Sequence, residues 1–328
     1  MADSIRTHDL PTAQVPDASG QPSVLDAAAY IELHPRSKAP VFKHWQDHKL
    51  GRDGADAVLD RGGNVGILTG AASGGLVDLD LDNATAARWA DQFLPPTSAV
   101  FGRTGRPGSH RLYTCPDAMT RERYADPVRV ERGGAGLILE VRGDRHQTMS
   151  PGSVHPNGER VEWAGVGGEP AKIERPALLS SAGEMAAAVL LAHHSPAGRR
   201  HDAALFLSGA LLTSGWDPAR VERFVLTICA MAGDTRELDD RMRTVASSVE
   251  RFEDGKSTGG WPKLAEVIDP AAVKAARMWL GLWQTSALLT DIGNAERLVD
   301  LHGHELRHVA LWGKWLIYHR GRWAEDQD

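Results

Sequence analysis

Hydrophobic and polar positions change their period along the chain, and each period predicts a different kind of element. In the first half the apolar runs are short. VLDAAAYIELH is spaced as a helix, while NVGILTG and LVDLDLD predict strands joined by the loop AASGG, and GAASGG is most simply a hairpin loop. ATAARWADQF predicts a helix capped by Asp82 or Asn83. SAVFGR, HRLYTC and GLILEVRG follow as strands, and SVHPNGERVEW as a hairpin turning at Pro156, Asn157 and Gly158. Residues 23–176 therefore predict an α+β domain. After ERPALLSSAG the texture changes, and 182–282 predicts a helical bundle domain. There Leu205, Leu207, Leu211 and Leu212 form an apolar stripe that Gly215 ends, and Asp217 and Pro218 open the next helix as N-cap and first residue. Residues 285–328 differ again: TDIGNAERLVDLHG is helix-like, and VALWGKWLIYHRGRW predicts two strands around His319, Arg320 and Gly321. Residues 1–22 predict a flexible lead-in without the apolar core of a signal peptide.

Composition narrows the classes. With 42% hydrophobic and 24% charged residues in 328, the chain has an ordinary globular composition and the length for two or three domains. A net charge of −6 provides no global attraction to nucleic acid, so such binding would need local basic patches or metal. The cysteines are Cys115 and Cys229, too few for a four-cysteine zinc site or a disulfide framework. No zinc is expected, and a reducing cytoplasm fits. No apolar run approaches membrane-spanning length, so no membrane partner is expected.

GGLVDLDLDN, residues 74–83, places Asp78, Asp80 and Asp82 on one strand face, with Val77, Leu79 and Leu81 on the other. Such a row is unfavourable by itself. Two like charges about 5 Å apart at an effective dielectric near 20 repel by roughly 3 kcal/mol. Solvation, protonation or a cation must offset that, and hard divalent metals bound by oxygen are the obvious candidates. About thirty residues on, FGRTGRPGSHRLY puts His110 on another strand, and GLILEVRGD places Glu140 on a third. Carboxylates can bridge two divalent cations, a histidine beside them can contact a triphosphate, and Arg103, Arg106 and Arg142 can offset phosphate charge. That inventory suits two-metal nucleotidyl transfer.

The ordered set of an aspartate-rich strand, a small-x-His strand and a later strand carrying Glu resembles the catalytic core of the archaeo-eukaryotic primase superfamily. More narrowly, it looks like the primase-polymerase domain of phages, plasmids and integrated elements. GNVGILTGAASGGLVDLDLD, LPPTSAVFGRTGRPGSHRLY and LEVRGDRHQTMSPGSVHPNGERVEW are similar to its segments over about 110 residues. The resemblance implies an active site on an antiparallel or mixed sheet, Mg²⁺ or Mn²⁺ at the carboxylates, and Ser109 and His110 at the incoming NTP or dNTP. Ser153 and His155, in a segment like the family's PPSxH, are implied to line the same pocket. Counting from Gly75, the family's spacing selects Asp80 and Asp82; aligning the first Asp-x-Asp selects Asp78 and Asp80. Asp80 with Asp82 is preferred, and Asp78 remains a third candidate ligand.

GRRHDAALFLSGALLTSGWDPARVERFVLTI and GGWPKLAEVI look like the helical domain that follows the catalytic domain in phage primase-helicases. The segment 285–328 looks like the lead into a helicase of the poxvirus type, which implies a helicase domain C-terminal to this segment as a partner. Arg199, Arg200 and Lys256 are candidate contacts for a single-stranded DNA template. The expected activity is that of a DNA-templated primase-polymerase. A metal-dependent nuclease using the same carboxylates and a non-catalytic replication-origin binding module are the alternatives. Three short motifs compete. DGKST at 254–258 mimics the tail of a phosphate-binding loop, but Glu250 stands where the first Gly belongs, so an exposed linker is expected. GAASGG matches a dinucleotide fingerprint poorly. HELRH at 304–308 matches H-E-x-x-H and would make a zinc metallopeptidase, but Gly303 interrupts the required helix.

Overall fold

The computed structural model describes residues 23–165, 167–282, 306–309, 312, 314–319 and 322–325. The first part begins with α1 (Ser23–Asp26), β1 (Tyr30–Leu33), α2 (Arg52–Asp60), β2 (Asn64–Leu68) and β3 (Leu76–Asp80). It continues through α3 (Ala84–Trp89), β4 (Val100–Arg103), β5 (Arg106–Thr114), β6 (Glu122–Ala125), α4 (Pro127–Glu131), β7 (Leu137–Arg142), β8 (Gln147–Met149), β9 (Val161–Trp163) and β10 (Ala171–Lys172). Two sheets result. A small one runs β1-β2-β8; a larger one runs β6-β7-β3-β5-β4-β9, with β10 parallel to β5. Helices then take over: α5 (Arg175–His194), α6 (Arg200–Thr213), α7 (Pro218–Met231), α8 (Leu238–Glu253), α9 (Trp261–Leu264) and α10 (Pro270–Trp279). The fold is α+β, with a helical bundle after the sheets.

By contact density the chain divides into two compact units. One gathers the chain up to Asp80, Pro96–Glu122 and Val141–Arg175; the other gathers Leu81–Pro95, Arg123–Glu140 and the chain from Pro176 onward. In the first, Tyr30, Ile31, Leu33, Val65, Ile67, Phe101, Leu112 and Met149 bury one core. In the second, α5 is apolar on every side and buries Leu178, Met185 and Val189 through Leu191. Among the described residues α5 is long and apolar enough to cross a membrane, but most of that stretch is buried inside the protein. Gly183 lets it approach α10 closely, since a Cβ there would meet the Trp279 carbonyl oxygen.

Several expectations need correction. VLDAAAYIELH supplies only the single turn α1 before turning into β1, where Tyr30, Ile31 and Leu33 are all buried. A short apolar run has no intrinsic preference between buried helix and buried strand, and pairing with β2 decides it. AASGG turns the chain back, with an antiparallel bridge between Gly70 and Leu76, but it does not join two strands of one sheet. β2 and β3 belong to different sheets, and the connection crosses between them through Gly70, Gly74 and Gly75, all at positive φ. Asn83, not Asp82, caps α3, accepting from the Thr85 and Ala86 amides. The turn at 156–158 forms as expected, its flanks joined by the Val154–Arg160 bridge and by backbone hydrogen bonds from His155 to Glu159 and from Val161 to Ser153, while β9 also pairs with β4.

In the bundle, Asp217 caps α7 with Pro218 at its first position, and Gly215, at positive φ, follows α6. The DGKST stretch is an exposed loop after α8. TDIGNAERLVDLHG lies outside the described residues. Beyond it, β11 (Leu306–Val309), β12 (Lys314–His319) and β13 (Arg322–Glu325) form a three-stranded antiparallel sheet, with His319 opposite Arg322. Leu306, Arg307 and His308 are thus on a strand, so the end of HELRH does not adopt the helix its zinc reading needs; His304 and Glu305 lie outside the described residues.

Candidate active site

Strand alternation on β3 turns Asp78 and Asp80 to one face, with Val77 and Leu79 on the other, and all four are buried. Buried carboxylates persist only when paired, and both neighbouring strands supply partners. From β5 comes His110, directly opposite Asp80 in register. Its ring leans toward Asp78, with Nδ1 3.0 Å from one carboxylate oxygen and 3.2 Å from the other; Nε2 is 3.7 Å from Asp80. From β7 comes Arg142, whose guanidinium reaches Asp80 at 2.5 Å and Asp78 at 3.5 Å.

Asp82 lies two residues past the end of β3, and Glu140 sits on β7, buried. One carboxylate oxygen from each of Asp80, Asp82 and Glu140 can be chosen so that the three lie within 4.8 Å of one another. Because Asn83 takes the capping role at α3, Asp82 is not committed to that helix start. Three hard oxygen donors at this spacing fit a divalent cation of the Mg²⁺ or Mn²⁺ type. Asp78 is outside this cluster.

The charges shift one another. Burial is the largest influence on His110 and would lower its pKa, but the Asp78 and Asp80 carboxylates and the Asp78 hydrogen bond outweigh it, and the pKa is raised. For Asp78 burial pushes upward, yet His110, Arg142 and Thr148 together bring it below the usual carboxylate value. The site therefore favours an imidazolium beside carboxylates.

The remaining sequence candidates divide. Ser109 is buried and, by alternation, on the opposite sheet face from His110. Arg103 is ion-paired with Glu159, which also accepts from the Gly105 amide at 2.6 Å, so Arg103 fastens the 103–106 turn to the 157–159 turn. Arg106 is exposed at the start of β5. Ser153 is fully buried and clasps β2 through both the amide and carbonyl of Val65, at 3.0 and 3.2 Å. His155 holds Asn157 at 2.7 Å inside its own turn, and burial, first among several effects, lowers its pKa. Neither Ser153 nor His155 contacts the acids by any hydrogen bond described. In the bundle, Arg199 bonds Asp202 and the Glu266 carbonyl, Arg200 the Ala232 carbonyl, and Lys256 pairs with Asp254 at 2.7 Å. Two contributors were not legible in the sequence. Phe101 on β4 stacks on the His110 ring at 4.7 Å and 5°, and Thr148 on β8 places its hydroxyl 3.4 Å from Nδ1. Phe101 lies opposite His110 across the β4–β5 turn, whereas Thr148 comes from β8, a strand of the other sheet.

Residues 22–177 match the family model of the bifunctional DNA primase/polymerase, N-terminal domain, known as Prim-Pol. This segment is a Prim-Pol domain. The match spans all three strands of the site, from the acids of β3 through His110 to Glu140 and Arg142. Prim-Pol domains are metal-dependent in general, and membership carries a nucleotidyl-transfer role of the primase/polymerase type, with DNA and nucleotides as substrates. No curated protein matches the chain.

Proposed function

We propose that the Prim-Pol domain makes primers on a single-stranded DNA template and extends them from NTP or dNTP, in the replication of a phage or mobile element. The observation that carries this reading is the convergence of Asp80, Asp82 and Glu140 within 4.8 Å inside the Prim-Pol match. In the reaction the 3′-hydroxyl oxygen of the growing strand bonds to the α-phosphorus of the nucleotide, the bond to the bridging oxygen breaks, and pyrophosphate leaves. Asp80, Asp82 and Glu140 would hold Mg²⁺ or Mn²⁺, which when bound acidifies the attacking hydroxyl and offsets the triphosphate charge.

The chain's own groups do the rest. Arg142 grips Asp80 and keeps the acid row from splaying under its own repulsion. His110, held through Nδ1 by Asp78, presents Nε2 as a hydrogen-bond donor to a triphosphate oxygen. Arg106, exposed at the start of β5, adds positive charge for the same anion. The catalytic domain is taken as residues 23–176 and the bundle, 182–282, as an accessory domain with Arg199, Arg200 and Lys256 as candidate template contacts. A helicase module as partner rests on the resemblance of residues 285–328 described above.

The test is pyrophosphate release with labelled nucleotides on a defined single-stranded template, with Mn²⁺ or Mg²⁺. Primers accompanied by stoichiometric pyrophosphate support the reading. Template degradation without nucleotides indicates the nuclease alternative, and DNA binding without turnover the origin-binding one.

A further inference from the structure

Asp78 is the acid of the β3 row that the metal cluster leaves out, and it is completely buried. A carboxylate at that position needs a reason. Both of its oxygens approach His110 Nδ1, at 3.0 and 3.2 Å. An ionised carboxylate only accepts hydrogen bonds, so the nitrogen facing it must carry the hydrogen. This assigns the ring by its partner: Nδ1–H donates to Asp78 whether the imidazole is neutral or charged, and Nε2 is the atom turned toward the Asp80 side, 3.7 Å away. The rest of the surroundings agrees. Phe101 lies parallel to the ring at 4.7 Å and 5°, which sets its plane. The hydroxyl of Thr148, 3.4 Å from Nδ1, closes the same side. Arg142 touches Asp78 at 3.5 Å but Asp80 at 2.5 Å, so its main grip is on the metal acid and the imidazole is the closer partner of Asp78.

We propose that Asp78 is a positioning residue that holds the His110 ring with Nδ1–H inward and Nε2 toward the nucleotide, and that it takes no part in binding the metal. The direction given to Nε2 rests on the primase-polymerase reading above; the Nδ1–H assignment does not. A neutral imidazole left to water favours hydrogen on Nε2, which would turn a lone pair, not a donor, toward a phosphate oxygen. Asp78 removes that choice before substrate arrives. Groups that orient metal-ligating histidines in this way contribute about ten- to a hundredfold, and an effect at the lower end of that range is expected for a histidine that binds an anion.

The experiment uses the full chain with ¹⁵N-labelled histidine, and the variants Asp78→Val, which removes the acceptor, and Asp78→Asn, which keeps one at nearly the same size. At pH 8 the wild type should show His110 Nδ1 protonated, Asp78→Asn should retain that signature, and Asp78→Val should move toward the Nε2–H form. Nucleotide KM should rise about tenfold in Asp78→Val, stay within about threefold of wild type in Asp78→Asn, and the half-saturating Mn²⁺ concentration should not change in either. In a His110→Ala background, Asp78→Val should add no further loss. An unprotonated Nδ1 in the wild type overturns the proposal, and needs no variant to fold. So does a rise in the Mn²⁺ requirement in Asp78→Asn equal to that in Asp80→Ala, or an undiminished loss in the His110→Ala background. If the wild type incorporates no nucleotide, the proposed function fails, while the ¹⁵N signature still decides the orientation of the ring.

Discussion

Asp78 in the sheet and Asp234, after α7 in the bundle, face the same cost of burying a carboxylate and meet it with different partners. Asp234 is held by arginine: Arg241 Nε at 2.8 Å, with Arg200 at 3.9 Å. Arg241 is itself buried and also reaches Asp240 and Glu237; burial, the largest effect, would lower its pKa, but Asp234, Glu237 and Asp240 outweigh it and raise it. The Arg241 guanidinium therefore stays charged at every ordinary pH. Asp78 instead leans on an imidazole clamped by Phe101, and shares its arginine with Asp80. A permanent cation suits a place that must only stay folded; a ring with a second donor nitrogen suits a place where an anion arrives. Two buried aspartates thus separate by the chemistry of their partners.

The largest break in this comparison is on the bundle side. Arg241→Met strands Asp234 in the interior, and the bundle should lose about 3 to 5 kcal/mol, read as a fall in denaturant midpoint. Loss below about 1 kcal/mol would mean that Arg200 alone suffices. On the sheet side, Asp80→Ala and Glu140→Ala should each cut nucleotide incorporation by at least about a hundredfold. Mn²⁺ should raise the melting temperature of the wild type and not of these variants.

The different partners also predict different pH behaviour. His110, with its pKa raised, contributes stability that is complete below its unfolded value near about 6.5 and is lost as pH rises through the folded value. Asp78, with its pKa lowered, contributes above its unfolded value near about 3.9, and that is lost as pH falls through the folded value. Their pairing is therefore strongest between those limits. Wild-type stability should decline from neutral pH upward, and the decline should shrink in Asp78→Asn; an unchanged slope in that variant would separate His110 from Asp78. The smallest effect concerns Cys229, which burial pushes up to about 11. It should resist alkylation at pH 8 until the bundle opens, so fast native-state modification would show that the bundle is looser than described.

Much of the sheet was readable because its strands carry chemistry at short range. The acids of β3, His110 on β5 and Glu140 on β7 each sit in an apolar run whose polar exceptions stand out. Asp217 with Pro218 marked α7 for the same local reason. What failed depended on distant pairing. β1 looked helical because its strand character comes from β2, and the glycine-rich crossing between sheets looks like any hairpin loop until its strands find partners. Ser153 sat where a nucleotide contact was expected, yet spends both hydrogen-bonding capacities on β2. The choice among Asp78, Asp80 and Asp82 was open in sequence because alternation places all three on one face. Three-dimensional neighbours separate them: Asn83 takes the cap, His110 takes Asp78, and Asp80 with Asp82 meets Glu140.

Mn²⁺ binding to the full chain, followed by electron paramagnetic resonance as free ion disappears, tests that division most directly. The prediction is that Asp80→Ala, Asp82→Ala and Glu140→Ala each lose the bound ion, while Asp78→Asn binds it as wild type does. Loss of Mn²⁺ in Asp78→Asn, or retention in Asp82→Ala and Glu140→Ala together, would contradict the account.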